Sequence, residues 1–227
     1  MTKQERLEKL KAKLIEMQQF ESNLRAAGKK YIGGCDEVGR GPLAGPVVTA
    51  CVVLPEDFDV LGVDDSKKLS EKKREELFDL INEKALAVGI GMRDNNRIDE
   101  INILEATKEA MTDAVMSCQE MLRLKLGQDA ALDHVLFDAV TIHGLPMPQT
   151  AIIKGDAKSV TIAAASIIAK VTRDRMMADY AKLYPEYGFE SNKGYGTKAH
   201  YEGLARAGLT PIHRKTFLRN LEDHING

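Results

Sequence analysis

Asp36 and Glu37 directly follow the short apolar run YIGGC, and two later apolar runs, VLFD and TAIIKGD, finish at Asp138 and Asp156. Acids at strand ends face the same sheet edge or its neighbour. Inside a strand they are costly to bury unless paired or bound to a cation, so their placement needs a cause. Hard divalent cations are held by a few carboxylates together with water and substrate phosphates. Two such ions roughly 3.5–4 Å apart can activate a water and stabilise the leaving oxygen of a phosphodiester. Taken singly, each acid has an ordinary explanation: Asp36 caps a turn, Glu37 is solvated, and Asp138 or Asp156 opens a loop. Taken as four, the two explanations stand level on pattern alone.

Other residues near these acids read as bystanders. Cys35 has no histidine close to it in sequence, and adjacent acids disfavour its thiolate, so it belongs to a strand core. His143 fits a solvated loop better than a proton shuttle. Asp174, in VTRD, lies well inside a helical stretch about five turns from Asp156. It reads as structural, or as paired at the surface with Arg173 or Arg175, a contact worth little.

Gly39, Arg40 and Gly41 form a GRG loop in which small residues let backbone N–H groups approach a nucleotide and an arginine can reach phosphate. A tight turn between two strands would use the same glycines. Tyr195, between two glycines in KGYGT, has a ring free to stack on a sugar or base, although a lone tyrosine is more often core. Ser66 and Lys67 in DDSKKLS, and Lys154 and Lys158 beside Asp156, are candidates for phosphate contact. Lys193, Lys198, Arg206, Arg214, Lys215 and Arg219 make the C-terminal region basic, as duplex binding requires and as an ordinary solvated face also allows.

The elements that must hold these residues follow from periodicity. Leu7, Leu10, Leu14, Met17 and Leu24 recur at helical spacing up to Gly28, which predicts one amphipathic leader helix over 3–26, either a docking arm or a helix packed on the main body. YIGGC and PVVTACVVL predict strands either side of the Gly-rich loop. Ser70 caps a predicted helix over about 71–85, followed by a third strand in AVGIGM. Residues 98–126 predict one long helix, VLFDAV and TAIIKGD predict strands four and five, and the Ala-rich stretch to Leu183 predicts a helix packed on the sheet with Asp179 and Lys182 outward.

With 227 residues and 44% hydrophobic content, the chain supports one catalytic domain, 29–227, whose last part (about 184–227) is helical, preceded by the leader, 1–28. A net charge of -2 excludes a generic polyanion binder, so nucleic-acid contact must be local. Three widely spaced cysteines suit a reduced, intracellular protein, and MTKQERLEKLKAKL lacks the apolar stretch of a signal peptide.

CDEVGRGPLAGPVVTACVVL, DDSKKLSEKKRE, VLFDAV, KGDAKSVTIAAASIIAKVTRD and NKGYGTKAH, in that order between about Tyr31 and Phe217, resemble the bacterial ribonuclease HII family. Order, length and spacing carry the likeness; an isolated DE or GxG would not. The resemblance implies an α/β protein of ribonuclease H-like fold: a five-stranded mixed sheet flanked by helices, strands one and four adjacent, with a C-terminal helical region beside the active edge. It implies Asp36, Glu37, Asp138 and Asp156 as catalytic acids holding Mg²⁺ or Mn²⁺, two ions during catalysis. Gly39, Arg40 and Gly41 become readers of the ribose 2′-OH, the contact that separates RNA from DNA. Tyr195 becomes the sensor of an RNA-DNA junction. The implied enzyme hydrolyses the RNA strand of RNA-DNA hybrids and nicks duplex DNA 5′ to embedded ribonucleotides, leaving a 3′-OH and a 5′-phosphate, in order to remove misplaced ribonucleotides. Its expected setting is the cytoplasm, as a monomer without a membrane. Phe137 departs from the aliphatic residue expected before Asp138, and the leader lies outside the match.

Two rivals differ in class. A non-catalytic hybrid-binding protein would keep the GRG loop, Tyr195 and the basic tail and be free to lose its acids, yet all four are present. A nucleotide-binding switch would need GxxxxGK[ST] before a helix, whereas GCDEVGRG lacks that spacing and precedes a strand.

Overall fold

The β-branched runs form strands because residues buried on both faces suit a sheet covered on both sides. The computed structural model describes residues 2–220, which contain one five-stranded sheet. Its strands are β1 (Ile32–Val38), β2 (Val47–Val53), β3 (Ala87–Arg93), β4 (His134–Asp138) and β5 (Gln149–Ile152). They lie in the order β3-β2-β1-β4-β5. The first three form an antiparallel meander, while β1 with β4 and β4 with β5 run parallel. The mixed sheet with β1 beside β4 is the expected one.

The α-helices are α1 (Lys3–Met17), α2 (Gln19–Ala26), α3 (Glu71–Lys84), α4 (Asn95–Ile101), α5 (Ile103–Leu126), α6 (Val160–Leu183), α7 (Phe189–Asn192) and α8 (Lys198–Ala207). Along β2 the side chains alternate between two cores. Ala50 and Val52 meet Leu77 and Ile81 of α3 and Ala164 and Ile168 of α6 on one face. Cys51 and Val53 meet Met111 and Val115 of α5 on the other, where Phe137 is fully buried and fills core space. The first half of α6 is buried all round, and only its far end is solvated, where Asp179 and Lys182 pair at 2.7 Å. A third cluster, including Leu43, Tyr187, Phe189, Leu204 and Ile212, binds the C-terminal region to the loop after β1. Residues 221–227 of the expected helical region lie outside the described residues.

Four boundaries differ from the sequence-based expectation. The leader is two helices, broken at Gln18, whose side-chain amide donates to the Phe58 carbonyl at 2.8 Å. The long helix breaks at Asn102, which has φ 70° and whose side-chain oxygen accepts from the backbone N–H groups of Leu104 and Glu105; capping overrides the apolar period there. Asp36 and Glu37 lie inside β1, not after it, because β2 continues beside them and pairs with both. β5 stops at Ile152: Lys154 turns left-handed (φ 57°), and Asp156 sits in a 3₁₀ turn, Gly155–Ala157, instead of closing the strand.

Candidate active site

The parallel register of β1 and β4 ends at the pair Cys35 and Phe137, so Asp36 and Asp138 stand one step beyond on neighbouring strands. Asp36 is buried; it accepts from the Glu37 N–H at 2.8 Å and from the Ser166 hydroxyl of α6. Asp138 accepts from the Gly155 N–H at 2.7 Å, which ties β4 to the turn bearing Asp156. Glu37 accepts from Arg40 at 3.3 Å through one oxygen, and its other oxygen, Oε2, is buried with no hydrogen-bond partner.

Burial pushes Asp36 well above the usual carboxylate range, and the charges of Glu37 and Asp138 push the same way. Burial also raises Glu37, against the pull of Arg40, and raises Asp156, to which Asp65 and Asp138 add. These carboxylates therefore share one field, which Arg40 at Glu37 and Lys67 at Asp156 offset only in part. Lys67 lies 3.9 Å from Asp156; burial opposes its charge, but Asp36, Asp156, Asp65 and Asp138 together raise its pKa. As the side chains stand, no three His, Cys, Asp or Glu among the described residues are arranged to hold a metal ion. The donor set nonetheless fits a hard cation: all oxygen, mutually repelling, with one buried oxygen unpartnered.

The GRG loop is fixed from beneath by two guanidiniums that sequence reasoning missed. Arg173 and Arg214 are both fully buried. Arg214 donates to the carbonyls of Gly39 (2.6 Å), Arg40 (2.9 Å) and Gly45 (2.8 and 3.0 Å). Arg173 donates to those of Pro46 (2.9 Å), Ala44 (3.1 Å) and Lys193 (2.9 Å). With the Gly39 and Arg40 carbonyls turned inward, the N–H groups of Arg40 and Gly41, trans across the same peptide planes, are left on the opposite side. Gly39 has φ 90°, and a Cβ there would come within 2.2 Å of Arg173 Nε, so glycine is required. Burial lowers Arg173 to about 10, and burial with the charge of Arg173 lowers Arg214 to about 9. Arg214 therefore leaves the expected surface basic patch, while Lys198, Arg206, Lys215 and Arg219 remain exposed.

Tyr195 is exposed, not core, and a Cβ on Gly41 would lie 3.4 Å from its ring, so the loop and the ring adjoin. Behind it runs a polar chain. The Thr210 N–H donates to His213 Nδ1 (2.9 Å), so His213 donates from Nε2 to His200 Nε2 (2.9 Å), and His200 donates from Nδ1 to the Tyr195 carbonyl (2.9 Å). Lys193, half-buried, adopts φ 51°. Ala139, Lys154 and Lys193 all hold left-handed backbones within two residues of Asp138, Asp156 or Tyr195, and such strain gathers at functional sites.

Ser66 is buried and its hydroxyl is hydrogen-bonded to that of Ser166 at 2.8 Å, whereas Lys67 is exposed above the acids. Asp174 is buried and pairs with Lys170 (2.7 Å) and Arg74 (3.8 Å), not with Arg173 or Arg175 at the surface. Arg74 in turn holds the carbonyls of Ser66 (3.1 Å) and Leu69 (2.6 Å). Lys154 and Lys158 are exposed, as is His143, and Cys35 is buried core with its thiol raised by burial and by Asp36 and Glu37.

A mixed sheet of this order, with carboxylates on adjacent strands and a capping helix behind them, defines a ribonuclease H-like hydrolase. The sequence profile described as Ribonuclease HII matches residues 33–220. Ribonuclease HII of Bacillus cereus is 56% identical over 218 residues, 95% of this chain and 80% of its own length. That of Ligilactobacillus salivarius is 54% identical over 217 residues, 94% of this chain and 81% of its own. The crystal structure of ribonuclease H2 from Pyrococcus horikoshii OT3 superposes with TM-score 0.66 at 28% identity, covering 86% of this chain and 99% of that one. The chain belongs to the ribonuclease HII family. It is therefore an RNase H hydrolase, which displaces both the binding-module and the nucleotide-switch alternatives. Among the described residues, no helix is long and apolar enough to cross a membrane.

Proposed function

We propose that this enzyme hydrolyses the RNA strand of RNA-DNA hybrids and nicks duplex DNA 5′ to an embedded ribonucleotide, leaving a 3′-OH and a 5′-phosphate. The observation that carries the reading is the meeting of three features: the acids of β1 and β4, the inward-turned GRG loop and the exposed Tyr195 ring beside it. Asp36, Glu37, Asp138 and Asp156 are the residues that would hold Mg²⁺ or Mn²⁺, in a site for two ions. When bound there, such cations lower the pKa of attached water and stabilise the leaving oxygen.

The protein's own groups do the selecting. The N–H groups of Arg40 and Gly41, with the Arg40 side chain, read the ribose 2′-OH and its phosphate, and a DNA residue gives them no hydroxyl to bind. Tyr195 stacks at the junction where a ribonucleotide is followed by DNA. Lys67 and Lys193 contact the nucleic-acid backbone, with the buried Ser66 holding the turn beneath Lys67, and Lys67 also offsets part of the carboxylate field while no cation is present. The cellular purpose is removal of ribonucleotides from DNA, by a cytoplasmic monomer made of a leader (1–28) and a catalytic domain (29–227).

Cleavage of a DNA duplex carrying one ribonucleotide tests this, with Mg²⁺, Mn²⁺ or chelator, and with Asp36→Asn. A nick 5′ to the ribonucleotide that needs the cation and Asp36 is expected. Cleavage of long hybrids with no nick at a single ribonucleotide would remove the finer specificity.

A further inference from the structure

Helix α2 reaches the acidic edge from behind. Glu21 is 1% exposed, and its Oε1 accepts from the Ser159 hydroxyl (2.6 Å), the Thr161 hydroxyl (2.7 Å) and the Thr161 N–H (3.1 Å). Its second oxygen, Oε2, is buried with no hydrogen-bond partner. These partners form the N-terminus of α6, where Ser159 is the capping residue and accepts from the Ile162 N–H at 3.3 Å. The positive end of a 24-residue helix favours a carboxylate, which gives the burial of Glu21 a physical reason.

From that cap the bonds continue into the site. The Ser159 N–H donates to the Gly155 carbonyl at 2.8 Å, and the Gly155 N–H donates to Asp138 Oδ1 at 2.7 Å. Asp156 lies between Gly155 and Ser159, in a turn with the strained Lys154 at its start. At the same place β1 and α6 are pressed together, since a Cβ on Gly34 would come within 2.2 Å of the Thr161 carbonyl carbon. Helix α1 adds a second hold, with Lys13 paired to Asp64 just before the Ser66–Lys68 turn.

We propose that Glu21 is a positioning residue: through Ser159 and Gly155 it sets the turn that presents Asp156 and orients the Asp138 carboxylate, so that the leader helices complete the acidic edge. This rests on Asp138 and Asp156 being cation-holding acids. A merely structural helix would lend stability to the whole domain, whereas a positioning one acts on these two carboxylates specifically.

The test uses the full chain with Glu21→Ala, Glu21→Gln, Asp156→Asn and the Glu21→Ala/Asp156→Asn double variant. Mn²⁺ binding without substrate is followed by calorimetry, beside thermal unfolding and the KM and kcat for a ribonucleotide-bearing duplex. Glu21→Ala is expected to weaken Mn²⁺ binding about tenfold, the low end for groups that orient metal-holding side chains. KM for the duplex should stay put, Glu21→Gln should restore most of the affinity by keeping the Oε1 acceptor, and the loss should shrink in the Asp156→Asn background, leaving only the part that runs through Asp138. Unchanged Mn²⁺ affinity in Glu21→Ala, or losses that multiply independently in the double variant, would overturn the inference while leaving the acids' role intact. Asp156→Asn binding Mn²⁺ like wild type would instead remove the reading beneath it. If Glu21→Ala does not fold, Ser159→Ala cuts the same path from the other side and must show the same loss.

Discussion

Burial with only partial countercharge makes the Asp36 carboxylate a cost to the fold whenever no cation is present, since burial and the nearby acids push its pKa upward. Asp36→Asn is therefore expected to cut kcat by about a thousandfold, reflecting the several kcal/mol a cation supplies, and to raise the melting temperature in chelator by roughly 3 °C. Calorimetry in chelator decides this: a lower melting point would mean the carboxylate helps the fold. On the proposed stacking role of Tyr195 the ring rather than the hydroxyl makes the contact, so Tyr195→Phe should leave KM near wild type while Tyr195→Ala raises it about tenfold, within the 1–3 kcal/mol expected of one stacked base. Equal losses in both variants would assign the work to the hydroxyl. At this scale the acids were legible because carboxylates at the ends of apolar runs are out of place. Arg173, Arg214 and Glu21 were not: nothing local marks a charged residue as fully buried, and their partners, backbone carbonyls for the arginines and two hydroxyls with one N–H for Glu21, lie far along the chain.

Elements were legible where one signal dominated and misread where two competed. Ser70 capped α3 as expected, since a Ser before a periodic run faces no rival signal. Asn102 lost to the apolar period in the sequence and won in the fold, because its side-chain oxygen satisfies two backbone donors. The His200–His213 chain, which joins α8 to the segment after it, was not legible, and it sets a pH limit. Burial lowers His213 to about 4, with His200 adding to the shift, against about 6.5 in an unfolded chain. Between these values the unfolded chain binds more protons, so the contribution to stability is complete above pH 6.5 and is lost as pH falls toward 4, on the order of 2 kcal/mol. Urea denaturation from pH 7 to 4.5 should show this loss in wild type and a flatter profile in His213→Gln; parallel profiles would sink it.

For the whole molecule, a net charge of -2 and an exposed group of C-terminal cations predict binding that is local and salt-sensitive. Lys198→Glu combined with Lys215→Glu should lower the slope of log affinity against log salt by about 2, measured by anisotropy on a DNA duplex carrying a ribonucleotide. An unchanged slope would place the phosphate contacts elsewhere. Strand number and type were legible from patterning, but the order β3-β2-β1-β4-β5 was not, because local sequence says nothing of which distant strands meet; the family likeness supplied only the mixed sheet and the adjacency of strands one and four. That order also carries a timetable. β1, β2 and β3 are sequential and pair as a meander, whereas the β1–β4 ladder that brings Asp36 beside Asp138 closes over about a hundred residues. At roughly 5–20 residues per second of synthesis, the half-site on β1 leaves the ribosome 5–20 seconds before its partner strand. A growing chain is thus without a nuclease centre until most of its length has been made.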